Sequence, residues 1–560
     1  MTKNTTKVAI IIDDSPLNYL VWDLFDKSLQ DKKYEITAFI IQKNTNSSRS
    51  IFSKVYSLIL RKGFTSLFSA ATFQLIKSVE IFFLKYFSKF GLIFKTKEID
   101  TYECEKISVR PKVSKSGLIY KYSNEDLEKI KSLNVDVLIR AGNGILKGEI
   151  LNICKYGVLS FHHADNDVNR GGPAGFWEVY HQSPSTGFII QVLNEELDGG
   201  KVILKGSIKT TFFYSYNWAR ILIKSNSFLH DVLSDIENYT NNKTNISVKP
   251  YSYKLYVRPT IIEQLKYIYQ TIRIIWKKIF KTLLKRKSKW HIAFQYVDDW
   301  RKVVLRKSIV ITNPKNRFLA DPFIYKHDNR TIIFAEDYDF KTKKAVISAI
   351  EIFPNKSYSL LGTVLDENFH LSYPFIFETD DNIYMIPESS ASNDIRLYKC
   401  NNFPMDWQLN NILIKDISSA DSNIFFHNGY WWLMTNKDSS DLSKKFDEKE
   451  HESELHIYFS KELESNNWTK HPLNPVIFNS KRSRNAGKIK SENNQLFRVF
   501  QIQGFNHYGE KFGVAKIIEL TPNSYKEEIL FKVSPSFYKK ITGTHHFSYD
   551  SGVVAIDYYS

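Results

Sequence analysis

Gly157-Val158-Leu159-Ser160-Phe161-His162-His163-Ala164-Asp165 reads as a short apolar strand that ends abruptly in two histidines and an acid. Upstream, Lys7–Ile12 is a second buried strand, followed by a helical pattern over Leu17–Leu29. Ile36–Ile41 and Val135–Ile139 are further apolar strands, and the helix-like Lys147–Lys155 separates the last of these from Val158–Phe161. Strands alternating with helices predict a parallel sheet joined by right-handed crossovers, an α/β Rossmann-like layout. No Gly-x-Gly-x-x-Gly follows a strand, so no dinucleotide is implied. Open parallel sheets carry their sites at the carboxyl ends of their strands, which is where His162 falls.

The whole chain has 560 residues, too many for one core. A hydrophobic fraction of 43%, with 15% aromatic residues, excludes a disordered or collagen-like protein. Its 77 Lys and Arg against 60 Asp and Glu give a net charge of +17. Cys104, Cys154 and Cys400 are odd in number and far apart, which fits neither a disulfide framework nor a CxxC metal site, and no metal is expected. Val8–Ile12 is too short for a signal peptide, and no run of about 18 uncharged apolar residues is evident, so no span is expected and the compartment is read as cytoplasmic.

Around the opening stretch lie Asn169-Arg170-Gly171-Gly172-Pro173, Thr186-Gly187 and Leu197-Asp198-Gly199-Gly200. A histidine at a strand end with an aspartate on a glycine-flanked turn can shuttle a proton, the carboxylate fixing tautomer and orientation. A structural histidine and a turn aspartate read equally well from these residues alone. The segment resembles the N10-formyltetrahydrofolate-dependent formyltransferases, whose pattern is a strand ending in Asn-x-His, a loop with Arg-Gly, and an Asp-x-Gly turn. The resemblance covers residues 130–205 and, more loosely, 7–42. It implies acyl transfer in which His162 stabilises the oxyanion and relays the proton, Asp198 orients it, Arg170 anchors an acceptor phosphate or carboxylate, and Gly142-Asn143-Gly144 line the folate. Ser160 stands where the family has asparagine, and loss of one oxyanion donor costs roughly 100- to 1000-fold in rate. The Ser160 hydroxyl, His163 or Asn143 is then the expected substitute.

From Trp290 onward the chain turns to β. Ala320-Asp321-Pro322-Phe323, Tyr373-Pro374-Phe375, Ala420-Asp421-Ser422-Asn423, Arg484-Asn485-Ala486-Gly487 and Thr544-His545-His546-Phe547 recur every 47 to 64 residues, with turns and aromatic strands such as Thr331–Phe334 and Tyr430–Leu433 following. A loose period of this size predicts an all-β five-bladed propeller, whereas a sandwich leaves the returning motif unexplained. Asp321, Glu388 and Asp421 are its candidate substrate-binding carboxylates. As a pair they could hydrolyse a glycoside, and as caps they would accept backbone N–H bonds; Tyr430, Trp431 and Trp432 favour glycan binding. On Ala320–Phe323, His370–Phe375, Met385–Ser389, Arg484–Gly487 and Gly543–His546, residues 290–560 resemble the propeller module of glucosamine inositolphosphorylceramide transferases, itself similar to five-bladed glycosidases.

The expected domains are 1–245, with a helical insertion at about 51–95, a basic amphipathic linker at 246–290, and the propeller at 291–560. The insertion and the linker interleave lysines with large apolar residues, as segments at an anionic membrane surface do. Together these readings imply a peripheral cytoplasmic enzyme that moves a formyl group from N10-formyltetrahydrofolate to an amino sugar, nucleotide- or lipid-linked, in surface-glycan synthesis. The alternatives are a glycan-binding or glycoside-processing propeller with a degenerate formyltransferase domain, and a scaffold for a lipid-linked saccharide. Nucleic acid is not expected as a partner, because the positive charge sits on apolar helices.

Overall fold

The computed structural model describes residues 5–43, 51–115, 117–196, 199–241, 251–283, 289–380 and 382–560, with backbone alone over 51–64. The chain forms two compact units, residues 1–277 with 440–448, and residues 278–439 with 449–560.

The first unit is built on β1 (Thr6–Asp13), α1 (Tyr19–Asp31), β2 (Tyr34–Gln42), α2 (Ile51–Phe87), β3 (Glu105–Val109), α3 (Asn124–Ser132), β4 (Val137–Arg140), β5 (Val158–His162), α4 (Phe176–Tyr180), β6 (Ser185–Val192), β7 (Lys201–Lys209), α5 (Tyr214–Ser234) and α6 (Ile261–Leu283). The strands form one sheet in the order β7-β6-β5-β4-β1-β2-β3. β3, β2, β1, β4 and β5 run parallel, while β6 and β7 close one edge antiparallel, so the sheet is mixed rather than wholly parallel. Both faces of the central strands are covered, which is why they read as unbroken apolar runs. The chain leaves β1 toward β2 on one side and returns at β4 on the other. A crevice therefore opens between the carboxyl ends of β1 and β4.

One further expectation needs correction here. Lys147–Lys155 is not a helix: only a 3-10 turn forms at Glu149–Asn152, entered through Gly148 at φ 89° and burying Ile150 and Leu151. Within α2, Thr65–Phe87 is by length and composition apolar enough to cross a membrane, although the core helix of a soluble protein passes the same test. The expected basic linker is helical over α6, and its run at 285–288 lies outside the described residues.

The second unit consists of five antiparallel sheets. The first sets Trp290–Tyr296 and Ile309–Ile311 beside Phe547–Asp550 and Val553–Tyr559, so the two ends of the unit share one sheet. The other four follow in chain order, beginning at Arg317, Ser372, Ser419 and Lys490. Each sheet packs on the next through its own apolar core. Ile292 and Phe294 meet Ile324 and Ile333; Ile332 and Phe334 meet Ile376 and Met385. Leu397 meets Ile424 and Leu433, Leu455 meets Leu496 and Ile517, and Val499 and Val514 return to Val554 and Ile556 of the first sheet.

Three of the five recurrences share a structural cause. Asp321, Tyr373 and Asp421 all sit at positive φ (48°, 46° and 48°), each where the first strand of its sheet slips register. A bulge of this kind turns a side chain out of the strand's alternation. Asp tolerates the left-handed region, whereas Tyr373 adopts it at a steric cost.

Candidate functional site

At the crevice of the first unit, Asp13 ends β1 and Gly142-Asn143-Gly144 follows β4. Asn143 donates to Asp13 from its backbone N (3.1 and 3.2 Å) and from Nδ2 (2.6 Å). Gln42, at the end of β2, donates to the Asn143 carbonyl at 3.2 Å and accepts from Tyr122 at 2.9 Å. Gly144, at φ 94°, lies where any Cβ would strike the Tyr120 ring at 2.4 Å. These glycines thus serve the close packing of the loop on its own chain.

One strand along, β5 carries Ser160 and His162 on one face. The His162 Nε2 lies 3.1 Å from the Asn169 carbonyl. A carbonyl only accepts, so Nε2 carries a proton in this contact. The Asn169 side chain in turn donates to Glu178 at 3.1 Å. Burial pushes the Glu178 carboxyl up to about 7. Ser160 is buried and receives Arg140 Nη1 at 3.4 Å, while Arg140 Nε donates to the Gly144 carbonyl at 2.7 Å. A guanidinium from the end of β4 therefore stands beside the hydroxyl at the position where the resembling family keeps an asparagine.

The other residues named from sequence divide. His163 turns to α5, where its Nε2 meets Ser225 Oγ at 3.0 Å, and burial, then His162, lower it to about 4. It is a neutral ring tied to a helix. Arg170 donates to the Asn166 carbonyl at 3.0 Å and lies over the Tyr251 ring at 4.6 Å, pinning its loop. Asp198 lies outside the described residues. Arg140, Asn169 and Glu178 escaped the sequence reading. Only the charge of Arg140 at the end of an otherwise apolar strand could have flagged it.

Two buried acceptors at this end of the sheet, Gln191 Oε1 directly opposite Ser160 and Asn169 Oδ1, have no donor among the described residues. Such acceptors suit a ligand that presents N–H groups, as the aminopyrimidine edge of a folate does.

In the second unit the bulged positions bring charge together. Arg484 donates to Asp421 through Nε at 2.6 Å and Nη2 at 3.3 Å, and to Glu388 at 3.3 Å. Burial pushes the Asp421 carboxyl up, with Arg484 pulling against it. Asp321 lies 3.5 Å from His545 and 3.6 Å from His546. His545 also meets Asp557 at 2.6 Å and stacks on Trp290 at 4.0 Å. Burial works to lower His545, but Asp557 and Asp321 overcome it and raise it to about 9. Asp321, His545 and Asp557 bring one donor atom each within 4.8 Å of one another. Asp421 and Glu388 share one guanidinium, that of Arg484. Tyr373 Oη closes this centre, accepting from Gly487 N at 2.9 Å and Asn423 Nδ2 at 3.0 Å.

A cavity of about 610 Å³ in the same unit is lined by Phe377, Phe426, Trp431, Glu378 and Lys488. Trp431 therefore lines a surface, whereas Trp432, 1% exposed, is sheet core.

Comparison with known proteins finds two kinds of relative. Residues 302–546 match the family model described as glucosamine inositolphosphorylceramide transferase 1, N-terminal. Glucosamine inositolphosphorylceramide transferase 1 of Oryza sativa subsp. japonica is 35% identical over 217 residues, 38% of this chain and 28% of that protein. A methionyl-tRNA formyltransferase of Ehrlichia ruminantium (strain Welgevonden) is 24% identical over 222 residues, 38% of this chain and 73% of that enzyme. Among solved structures, glycinamide ribonucleotide transformylase 1 from Symbiobacterium toebii aligns with a TM-score of 0.27 at 11% identity, over 45% of this chain and 95% of its own. The chain joins a formyltransferase-like domain to a module similar to the N-terminal part of the inositolphosphorylceramide transferases. It spans about a quarter of the length of those plant relatives (28%).

Proposed function

We propose that the first unit transfers a formyl group from N10-formyltetrahydrofolate to the amino group of an amino sugar, nucleotide- or lipid-linked, and that the second is a five-bladed propeller that holds the saccharide. The observation that carries this reading is His162 at the carboxyl end of β5, on the same face as Ser160, which receives Arg140 from β4.

N10-formyltetrahydrofolate supplies the formyl carbon, whose bond to N10 breaks as the bond to the acceptor nitrogen forms. The backbone of Gly142-Asn143-Gly144, with the acceptors Gln191 Oε1 and Asn169 Oδ1, would hold it. Arg140 and the Ser160 hydroxyl would stabilise the charge that develops on an acyl oxygen bound beside them, the role an asparagine amide fills in the family. His162 takes the proton that the acceptor amine loses and returns it to N10 of the leaving group, so charge and protons balance. Its Nε2–H bond to Asn169 holds the ring in the orientation this transfer needs.

The propeller reading rests on five sheets among the described residues that pack in succession and close through the first, three of them with the same bulge in their first strand. Asp421 and Glu388 are held on Arg484, and in this reading they bind the saccharide. A surface glycan precursor made at the inner face of the membrane fits both halves. The test is formyl transfer from N10-formyltetrahydrofolate to a panel of nucleotide-linked amino sugars, read as released tetrahydrofolate. Transfer to at least one, lost in His162→Ala, supports the proposal; wild-type release equal to that of His162→Ala overturns it.

A further inference from the structure

Helix α6 is inside out. Its buried residues are Gln264, Tyr267 and Thr271, while Ile262 is 79% exposed and Trp276 62%. Ile262, Leu265, Tyr269, Ile272, Trp276 and Ile279, all exposed, are spaced alternately three and four residues apart. At 3.6 residues per turn this spacing draws one continuous apolar stripe along the helix. Its neighbour α2 repeats the inversion. Phe73 packs inward on Phe176 and Tyr214, whereas Leu75, Val79, Phe82, Phe83 and Phe87 are exposed. The two helices are tied by polar groups: Gln264 donates to Ser69 O at 2.8 Å and accepts from Thr72 at 2.7 Å, and the Tyr267 hydroxyl donates to Glu80.

Charge identifies what covers these faces. Lys266, Arg273 and Lys277 lie on α6 against a single acid, Glu263, and that acid already caps the helix by accepting from Thr260 N and Oγ1 at 2.8 and 2.9 Å. On the described side chains of α2, Lys77 and Lys85 face only Glu80, which is also committed, accepting from Ser215 N at 2.7 Å as well as from Tyr267.

We propose that the exposed faces of α2 and α6 lie in the interface of an anionic lipid bilayer, with the aromatic and aliphatic side chains among the acyl chains and the lysines and Arg273 at the headgroups. Basic residues flanking an apolar stripe match such a surface, and the amphipathic rings of Trp276 and Tyr269 suit its polar boundary. A second copy fits the stripe poorly. The residues beside it, Lys266 and Arg273, would meet their own like charges across a two-fold seam. Nor does α2 cross the bilayer: a crossing helix would carry Glu80 into hydrocarbon without Tyr267 and Ser215. This inference rests on the surface of the first unit and α6, and is independent of the reaction proposed above.

The experiment is flotation of the full chain with vesicles of phosphatidylcholine alone and with added phosphatidylglycerol, at low and high salt, beside sedimentation velocity without lipid. Binding is expected only to the vesicles containing phosphatidylglycerol and is expected to weaken with salt. The double variant Trp276→Ser with Phe280→Ser, changed at two exposed positions, is expected to bind about tenfold more weakly. Arg273→Glu with Lys277→Glu is expected to bind as weakly while keeping the wild-type melting temperature. Equal binding to neutral vesicles, or unchanged binding by both variants, overturns the proposal. So does a wild-type dimer that Trp276→Ser with Phe280→Ser dissociates, which assigns the stripe to a second copy. Protein that alkaline carbonate does not extract from the vesicles assigns α2 to a span instead.

Discussion

Arg140 reaches across from the end of β4 to place Nη1 3.4 Å from the Ser160 hydroxyl, while its Nε is fixed on the Gly144 carbonyl at 2.7 Å. The guanidinium is thus anchored at one edge and directed at the other into the mouth of the sheet. A charged donor held in this way stabilises a developing oxyanion more strongly than a neutral amide.

Arg140→Leu is therefore expected to lower kcat about 100- to 1000-fold with little change in KM, since the interaction is made to charge that appears only during reaction. Ser160→Ala is expected to cost less, because Arg140 remains. Steady-state kinetics of the two variants checks both. An unchanged kcat in Arg140→Leu would remove the guanidinium from the reaction.

In the second unit, Asp321→Asn and Glu388→Gln are expected to leave formyl transfer to a small nucleotide-linked acceptor unchanged and to weaken saccharide binding, as read by calorimetry. Arg484→Met leaves Asp421 and Glu388 buried without their cation. Breaking such a pair from one side costs about 3–5 kcal/mol, so this variant is expected to unfold at a markedly lower temperature. Arg484→Met combined with Asp421→Asn is expected to recover part of the loss.

The His545 imidazolium gives that unit a pH dependence. Its folded value, about 9, lies above its ordinary 6.5. Its contribution is therefore complete below about pH 6.5 and is lost as the pH rises through about 9. The difference is worth about 3 kcal/mol. Melting temperatures measured across this range are expected to fall steadily for the wild type and to stay nearly flat for His545→Gln.

The sheet of the first unit was legible because its central strands are buried on both faces and read as apolar runs, and β5 delivers its histidine where parallel sheets carry their chemistry. The antiparallel edge was not legible, since periodicity carries no strand direction. The returning motif of the second unit was legible as a repeat, but its cause, a left-handed bulge at Asp321, Tyr373 and Asp421, belongs to the backbone. What the sequence hid were partners distant along the chain. Arg484 finds Asp421 over 63 residues and Arg140 finds Ser160 over 20, and neither spacing marks a pair. The inversion of α6 was hidden for a related reason: an apolar stripe looks the same whether it faces a core or the outside.

Purified full-length protein, incubated with N10-formyltetrahydrofolate and nucleotide-linked amino sugars, tests the central claim most directly. Stoichiometric release of tetrahydrofolate with formylation of the sugar amine is predicted, with both lost in His162→Ala although that variant keeps the wild-type melting temperature. Formylation that proceeds undiminished in His162→Ala would contradict the account.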